Sequence, residues 1–406
     1  MQPKPSTLRT LDPLLYLFGH RGAIERIAAT PWAWVVGVVL VLSAGIARNY
    51  DHLDLLCEPE WIWGPFAASL VSTVFIYLWL DHLLRRKSDE VWEETPHGGR
   101  SFLTFINLVW LTAPCAWLYG IPFESFTDLV TATKWNIFLL ALVSLWRVFI
   151  IVRAVTVLIK APWYRVLLFV LVPAALEMMV GSFFKSLSLV GIMGGVRLPP
   201  HDVLLKQASD FTTSAGFFTA LFGLTFMVIA RGRPSRPLHR PAAGFPIRAL
   251  AASVLCLLVW VGIAMPWHDG VRNRHELERL IETRMYRQAV EFASTKRRED
   301  FSGIHHLPPH SDRNPYYFPL ELLDALDEKS PDWLRKEWLA SASRALESPM
   351  AWRMIDDPQA LRSRQPELFL LLDAHAAKLR AKQSPRSDER MWLEIYEEAR
   401  IEKPAP

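Results

Sequence analysis

The chain has 406 residues, of which 51% are hydrophobic, and it carries a net charge of +4 with slightly positive mean hydropathy. It is longer than one ordinary domain and more apolar than an ordinary soluble protein. Its three cysteines exclude a disulfide framework, because Cys115 and Cys256 fall inside apolar runs and leave only Cys57 near an aqueous face.

Charge divides the chain into two parts. Residues 1–267 contain 22 Lys/Arg and 16 Asp/Glu, whereas residues 268–406 contain 23 and 25. The first part is apolar and basic, and the second is densely charged and almost neutral. We therefore predict a cytoplasmic amphipathic segment at 1–30, a transmembrane helical bundle at 31–267 and a soluble helical domain at 268–406.

The segment LDPLLYLFGHRGAIERIAA precedes the first apolar run, with Asp12 as a helix N-cap and Pro13 in the first turn. Its apolar residues, together with Arg21, Glu25 and Arg26, indicate either an interfacial amphipathic helix or a segment that packs on the bundle. About thirty residues precede the apolar run, which favours an uncleaved span over a signal peptide.

Seven apolar stretches approach the roughly 20 helical residues that cross a hydrocarbon core. They lie at 31–47, 61–80, 102–120, 135–159, 163–184, 211–230 and 249–266. The first and last are short, so six spans is the alternative count. The fold class that we predict is all-α, a polytopic transmembrane bundle of about seven spans with a small soluble all-α C-terminal domain.

Basic residues in the short loops predict the orientation. With a cytoplasmic N-terminus, fifteen Lys/Arg lie in inside segments and five in outside loops. This bias predicts a multi-pass protein of the bacterial inner membrane, and seven spans place the C-terminal domain outside the cytoplasm.

Three ionisable residues lie within predicted spans: Arg147, Arg153 and Glu177. Arg153 is six residues from the cytoplasmic end of its span and can extend to the headgroups. Arg147 lies at the midplane and needs a partner, for which Glu177 on the neighbouring span is the candidate. The pair is either a structural contact between two helices or part of an ion, proton or anion path.

Small residues mark one face of the sixth span. Gly216, Ala220 and Gly223 recur at helical spacing, which predicts close helix packing. The loop that follows, residues 231–248, is rich in proline and contains no acidic residue. Its arginines suit topology control or anionic lipid headgroups, and they do not indicate nucleic acid binding: Arg231, Arg233, Arg236 and Arg240.

The run IERIAATPWAW at residues 24–34, with SFLTFINLVWLTAP and WRVFIIVRAVTVL further along, resembles the pattern of bacterial Yip1-domain membrane proteins over residues 20–185. The sequence differs from that family in having more predicted spans and a large C-terminal domain. The resemblance implies a non-enzymatic bundle associated with membrane organisation or trafficking, with no catalytic residues to carry over.

Beyond Trp267 the pattern changes to amphipathic helices. Ser330 and Pro331 predict the start of one helix that continues through Leu346. The loop HHLPPHSD offers His305, His306, His310 and Asp312 as metal ligands, but its spacing fits no metal motif and an ordinary surface loop is favoured.

No protease, nucleotide-binding, hydrolase or kinase motif is present in the sequence. We therefore expect no cofactor, and an enzyme is the minority hypothesis, since an intramembrane enzyme would require a second carboxylate or histidine beside Glu177. The leading hypothesis is an interaction or organising module that contacts membrane lipids and binds a protein partner through residues 268–406. The alternative is a transporter or channel that uses Arg147 and Glu177.

Overall fold

A computed structural model describes residues 8–50, 60–85, 98–159, 162–190, 200–229, 244–301, 307–309, 318–347, 352, 355, 357–382 and 387–400. Within these residues the protein is helical and contains no strand. The chain divides into two compact units, Met1–Met265 and Pro266–Pro406. The predicted all-α class is confirmed to this extent.

The first unit is built from long apolar helices. They are α1 (Asp12–Leu17), α2 (Arg21–Ala29), α3 (Ala33–Asn49), α4 (Glu60–Arg85), α5 (Gly98–Trp110), a 3-10 helix (Ala113–Gly120), α6 (Leu129–Ile159), α7 (Trp163–Val190), α8 (Pro200–Ile229) and the first part of α9 (Ile247–Glu282). Large apolar side chains such as Leu145, Phe222 and Leu255 are exposed on them. Such surfaces are compatible with lipid contact, as expected for a membrane protein.

Four helical segments of the described chain are long and apolar enough to cross a membrane: Phe102–Gly120, Val130–Leu158, Trp163–Gly181 and Ile247–Glu282. A fifth is counted if Arg21–Ala29 and Ala33–Arg48, which are bent by 112°, form one broken span. The apolar part of α4, Trp63–Trp79, is shorter. The sixth predicted stretch lies on α8, whose first half carries polar residues such as Lys206, Asp210 and Thr212.

The N-terminal segment packs into the first unit. Tyr16, Ala23, Ile24 and Ile27 have no exposed area and belong to the same core as α5 and α6. Leu11, Leu14 and Phe18 of the same segment are exposed, so one face packs on the first unit and an apolar face remains open. Burying one face of α1 and α2 against other helices contributes about 25 cal/mol per Å² of apolar area.

Asp12 does not cap α1, so the predicted N-cap is wrong. The cap position is Leu11, and Asp12 is the first helical residue. Its carboxylate accepts from the backbone N–H of Arg9 at 2.7 Å and from Arg26 Nε at 2.8 Å. A guanidinium offers a buried carboxylate a stronger bond than a backbone amide does, which explains why Asp12 turns toward α2.

The second unit contains the last part of α9, α10 (Tyr286–Ser294), α11 (Glu321–Asp324), α12 (Asp332–Leu346), α13 (Pro358–Arg364), α14 (Pro366–Arg380) and α15 (Ser387–Arg400). Its core includes the fully buried Trp338 and the nearly buried Trp392. Their indole N–H groups donate to the carbonyls of Pro308 and Leu346 at 2.9 and 2.7 Å. The predicted helix ends at Leu346 as expected, and it begins one residue after Pro331.

Candidate functional site

The span Phe102–Gly120 is broken near its middle. The α-helix α5 ends at Trp110, Leu111 and Thr112 form a turn, and a 3-10 helix continues from Ala113. Pro114 follows the turn and lacks a backbone N–H, so the α-helical bonding pattern cannot continue through it. The Val109 carbonyl accepts from the Thr112 hydroxyl at 2.6 Å and from the Thr112 backbone N–H at 3.1 Å.

A second break lies between α2 and α3, and it contacts the first. The two helices are bent by 112° around Thr30 and Trp32. Asn107 of α5 donates from Nδ2 to the Thr30 carbonyl at 2.9 Å, and both residues are fully buried. Helix breaks at membrane depth are tolerated where protein groups satisfy the freed backbone, as Asn107 does here.

Arg147 of α6 meets the first break. Its Nε donates to the Thr112 hydroxyl at 3.0 Å, and that hydroxyl in turn donates to Val109. The titratable side chains that interact electrostatically with the Arg147 guanidinium are Tyr119, Cys115 and Tyr16. Within the described residues no carboxylate forms an ion pair with this guanidinium.

Glu177 of α7 has a different environment. Its side chain forms a hydrogen bond with Ser72 of α4, and its buried Oε1 has no hydrogen-bond partner among the described residues. The structure therefore does not bring Arg147 and Glu177 together, although α6 and α7 are in contact. Arg147 turns toward the 3-10 helix and Glu177 toward α4. Thr112 and Ser72, the polar partners that the structure shows, are residues that the sequence analysis did not single out.

Arg153 packs against the N-terminal segment. A methyl group on Gly19 would lie 3.1 Å from Arg153 Cγ, and Gly19 has φ of +70°, a conformation that favours glycine. About two turns earlier on α6, Trp146 Nε1 donates to the Leu17 carbonyl at 2.8 Å. Arg153 itself is exposed, so its aliphatic stem lies over the turn between α1 and α2 while its surface remains open.

The small residues of the sixth predicted stretch lie against α7. A methyl group on Gly216 would lie 3.0 Å from Met178 Cε, and one on Gly223 would overlap Val172 Cγ2. Ala220 between them is buried. Close approach of α7 and α8 therefore depends on the missing side chains at Gly216 and Gly223.

Several candidates lie outside the described residues. These are Arg231, Arg233, Arg236 and Arg240 of the basic loop, and His305, His306, His310 and Asp312 of the histidine-rich loop. In the described part of the chain, no group of three or more His, Cys, Asp or Glu could hold a metal ion.

The second unit has an open cleft of about 390 Å³ beside the turn between α9 and α10. Arg284 has φ of +59° and ends α9 in a Schellman motif, in which its N–H donates to the Ile281 carbonyl at 3.0 Å and the Met285 N–H donates to the Leu280 carbonyl at 2.9 Å. Positively charged, negatively charged and apolar side chains line the cleft: Arg284, Met285, Tyr286, Arg287, Gln288, Glu321, Asp324 and Ala325. The sequence analysis did not single out this cleft, because the chain brings α11 beside the turn from more than thirty residues away.

The protein is helical, and several of its apolar helices are compatible with a membrane. The surroundings of Arg147 lie in the first unit, and the cleft beside Arg284 lies in the second, charged unit. No protein-family model, curated protein or solved structure matches the chain. The resemblance to Yip1-domain proteins therefore stays a prediction.

Proposed function

We propose that this protein is a non-enzymatic interaction module of the bacterial inner membrane. In this proposal the first unit anchors the chain in the lipid with its N-terminus in the cytoplasm. The second unit is displayed on the extracytoplasmic side, where it binds a protein partner. The observation that carries the proposal is the charged cleft beside Arg284.

The chemistry of the cleft suits a peptide segment of a partner. Arg284, Arg287 and Glu321 line the cleft with exposed charges. Asp324 also lines it, but its carboxylate already accepts from Arg364 at 2.6 Å and from Gln365 at 3.0 Å. Exposed charges of both signs select a partner of complementary charge and orient it. Met285 is exposed between them and supplies an adaptable apolar surface, which suits contact with an apolar side chain.

The backbone at the cleft fixes the turn that carries its arginines. The positive φ of Arg284 belongs to the Schellman motif that ends α9, which is a common helix C-terminus. This turn leads into α10, and Arg284 and Arg287 both line the cleft.

The contacts of the first unit support an anchoring role. Buried Asn107 bonds to Thr30, and Trp117 Nε1 donates to the buried Ser43 hydroxyl at 2.9 Å. Each bond joins two different helices, so these polar groups hold the bundle together. A membrane anchor needs this kind of packing and no polar channel.

The experiment is site-specific photo-crosslinking of the full-length protein in its native membrane. A photoreactive residue at Gln288, in the cleft, is expected to give a discrete adduct. The same residue at Lys336, exposed on α12 and outside the cleft, serves as the matched control. Equal labelling at both positions, or no adduct at Gln288, would contradict the proposal.

The two helix breaks favour transport as the second candidate function. Transporters bind substrates at interrupted helices near the middle of the membrane. In proteoliposomes, a transporter would show solute flux that Arg147→Gln abolishes and Arg153→Gln leaves intact, with both variants folded. Absence of flux for the intact protein would remove this candidate for the solutes assayed.

A further inference from the structure

We propose that Arg147 binds a singly charged oxyanion group in the membrane unit, beside the break between α5 and the 3-10 helix. This inference is independent of the interaction function of the second unit. It assigns to Arg147 a ligand that supplies a negative charge and hydrogen-bond acceptors beyond those that the described residues offer.

Arg147 has no countercharge among the residues that the structure describes. Its Nε is bound to the neutral Thr112 hydroxyl at 3.0 Å, and no ion pair is formed by its guanidinium with the described residues. A charged arginine at the centre of a bilayer costs from about 3 to more than 10 kcal/mol. One hydroxyl oxygen offsets little of this cost, so an anion at the guanidinium would lower the free energy of the site.

The terminal nitrogens of Arg147 are available. Within the described chain, Nη1 and Nη2 have no hydrogen-bond partner, and the side chain is partly exposed although protein surrounds much of it. The bond to Thr112 fixes one edge of the guanidinium. The other edge carries the two parallel N–H groups that bind carboxylate or phosphate oxygens in bidentate form.

The neighbouring residues fit an anion as well. Tyr119 lies on the 3-10 helix within electrostatic reach of both Arg147 and Arg48, and Arg48 is exposed in the last turn of α3. Gly120, the next residue, lies close to the Ala47 carbonyl, which places this end of the 3-10 helix at the end of α3. The Tyr119 hydroxyl can donate to an oxyanion, and the exposed Arg48 adds a positive potential near this end of the 3-10 helix.

The charge of the ligand follows from the site. Arg147 supplies one full positive charge, so a monoanion leaves the site neutral, whereas a dianion would leave an uncompensated negative charge in a low dielectric. Carboxylates and phosphodiesters meet this requirement. The phosphodiester can belong to a free solute or to an anionic lipid headgroup, and the test below separates these sources.

The test uses the full-length protein in maltoside micelles, which contain no phosphate. Intrinsic fluorescence reports binding, since Trp146 adjoins Arg147 in sequence and Trp117 lies on the 3-10 helix. One arm titrates dimethyl phosphate and acetate against sodium chloride at equal ionic strength. The second arm titrates dihexanoyl phosphatidylglycerol.

We expect a saturable change in at least one arm that chloride does not reproduce. Arg147→Gln should weaken it at least tenfold, which corresponds to about 1.4 kcal/mol. Arg248→Gln, which removes an exposed arginine of α9, should leave it unchanged. Saturation with dimethyl phosphate or acetate assigns a solute, and saturation only with the lipid assigns a headgroup.

A second variant keeps the test decisive if Arg147→Gln does not fold. Tyr119→Phe removes one hydroxyl and is expected to weaken binding severalfold without changing the helices. The proposal is overturned if neither arm saturates. It is equally overturned if Arg147→Gln, or Tyr119→Phe where the first variant is unfolded, binds as the unmodified protein does.

Discussion

Asp12 on α1 is bound by Arg26 on α2, and the Asp12 carboxylate has no exposed area while the Arg26 side chain is 15% exposed. The Arg26 carbonyl also accepts from the Thr30 hydroxyl at 2.8 Å, next to the bend that leads into α3. This one ion pair therefore links α1, α2 and the first helix break. It makes the N-terminal segment part of the membrane unit.

Removal of one partner of this ion pair should destabilise the first unit. Asp12→Asn leaves the Arg26 charge without its carboxylate, and breaking a buried pair costs about 3–5 kcal/mol. Thermal unfolding of the detergent-solubilised protein should show a clearly lower Tm. Glu25→Gln, which breaks the exposed pair with Arg21, should change stability by about 1 kcal/mol or less. Equal Tm values for the two variants would contradict this role of Asp12.

Packing of α7 on α8 should depend on Gly223. Gly223→Ala places a methyl group against Val172 Cγ2, and such overpacking costs about 1–3 kcal/mol. The control is Gly181→Ala on α7, where nothing lies within 4 Å of the added methyl group. That change should be neutral or slightly stabilising, because alanine favours the helix. Similar losses of Tm in both variants would show that the α7–α8 contact does not require Gly223.

The turn before α12 should make stability sensitive to acid. The Ser330 hydroxyl and the Lys329 backbone N–H donate to Asp327, and these bonds lower the pKa of its carboxyl below the ordinary value. A lowered folded-state pKa contributes stability that is present above the unfolded pKa and is lost as the pH falls through the folded value.

The measurement for Asp327 is Tm as a function of pH for the unmodified protein and for Asp327→Asn. The variant should lose the part of the acid dependence that lies below the ordinary aspartate pKa and should be unaffected in its remaining pH dependence. Glu328→Gln, which alters the adjacent exposed carboxylate, is the control. An unchanged pH profile in Asp327→Asn would contradict the assignment.

The proposed orientation can be tested with reporters. A reporter that functions only in the cytoplasm should be active when it is fused to the N-terminus, because the bias of basic loop residues predicts that this end is cytoplasmic. A reporter that functions only outside the cytoplasm should be active when it is fused after Pro406. Cytoplasmic activity at both ends would rule out the proposed display of the second unit.

Periodicity and hydropathy predicted much of the helical architecture. The start of α7 at Trp163, the end of α6 at Ile159 and the end of α12 at Leu346 agree with the sequence analysis. These boundaries follow from proline, tryptophan and charge at the helix ends, which are local signals.

Local sequence signals do not predict which side chains on different helices contact each other. Whether Arg147 meets Glu177 or Thr112 depends on the rotation of α6, and a rotation of one helix has no signature in the sequence of another. Similarly, Asp12 has a suitable residue type for an N-cap, but the fold offers it Arg26 fourteen positions away. Pro114 was a local signal for the break in the span, because a proline interrupts helical hydrogen bonding.

The most direct test of the proposed interaction function is the photo-crosslinking yield at Gln288 after charge reversal in the same cleft. We expect Arg287→Glu to reduce the adduct about tenfold, because the reversed charge would face a like charge of the partner, at a cost of about 1.4 kcal/mol or more. Lys336→Glu, outside the cleft, should leave the yield unchanged. An adduct of equal yield in Arg287→Glu and the unmodified protein would contradict binding of a partner at this cleft.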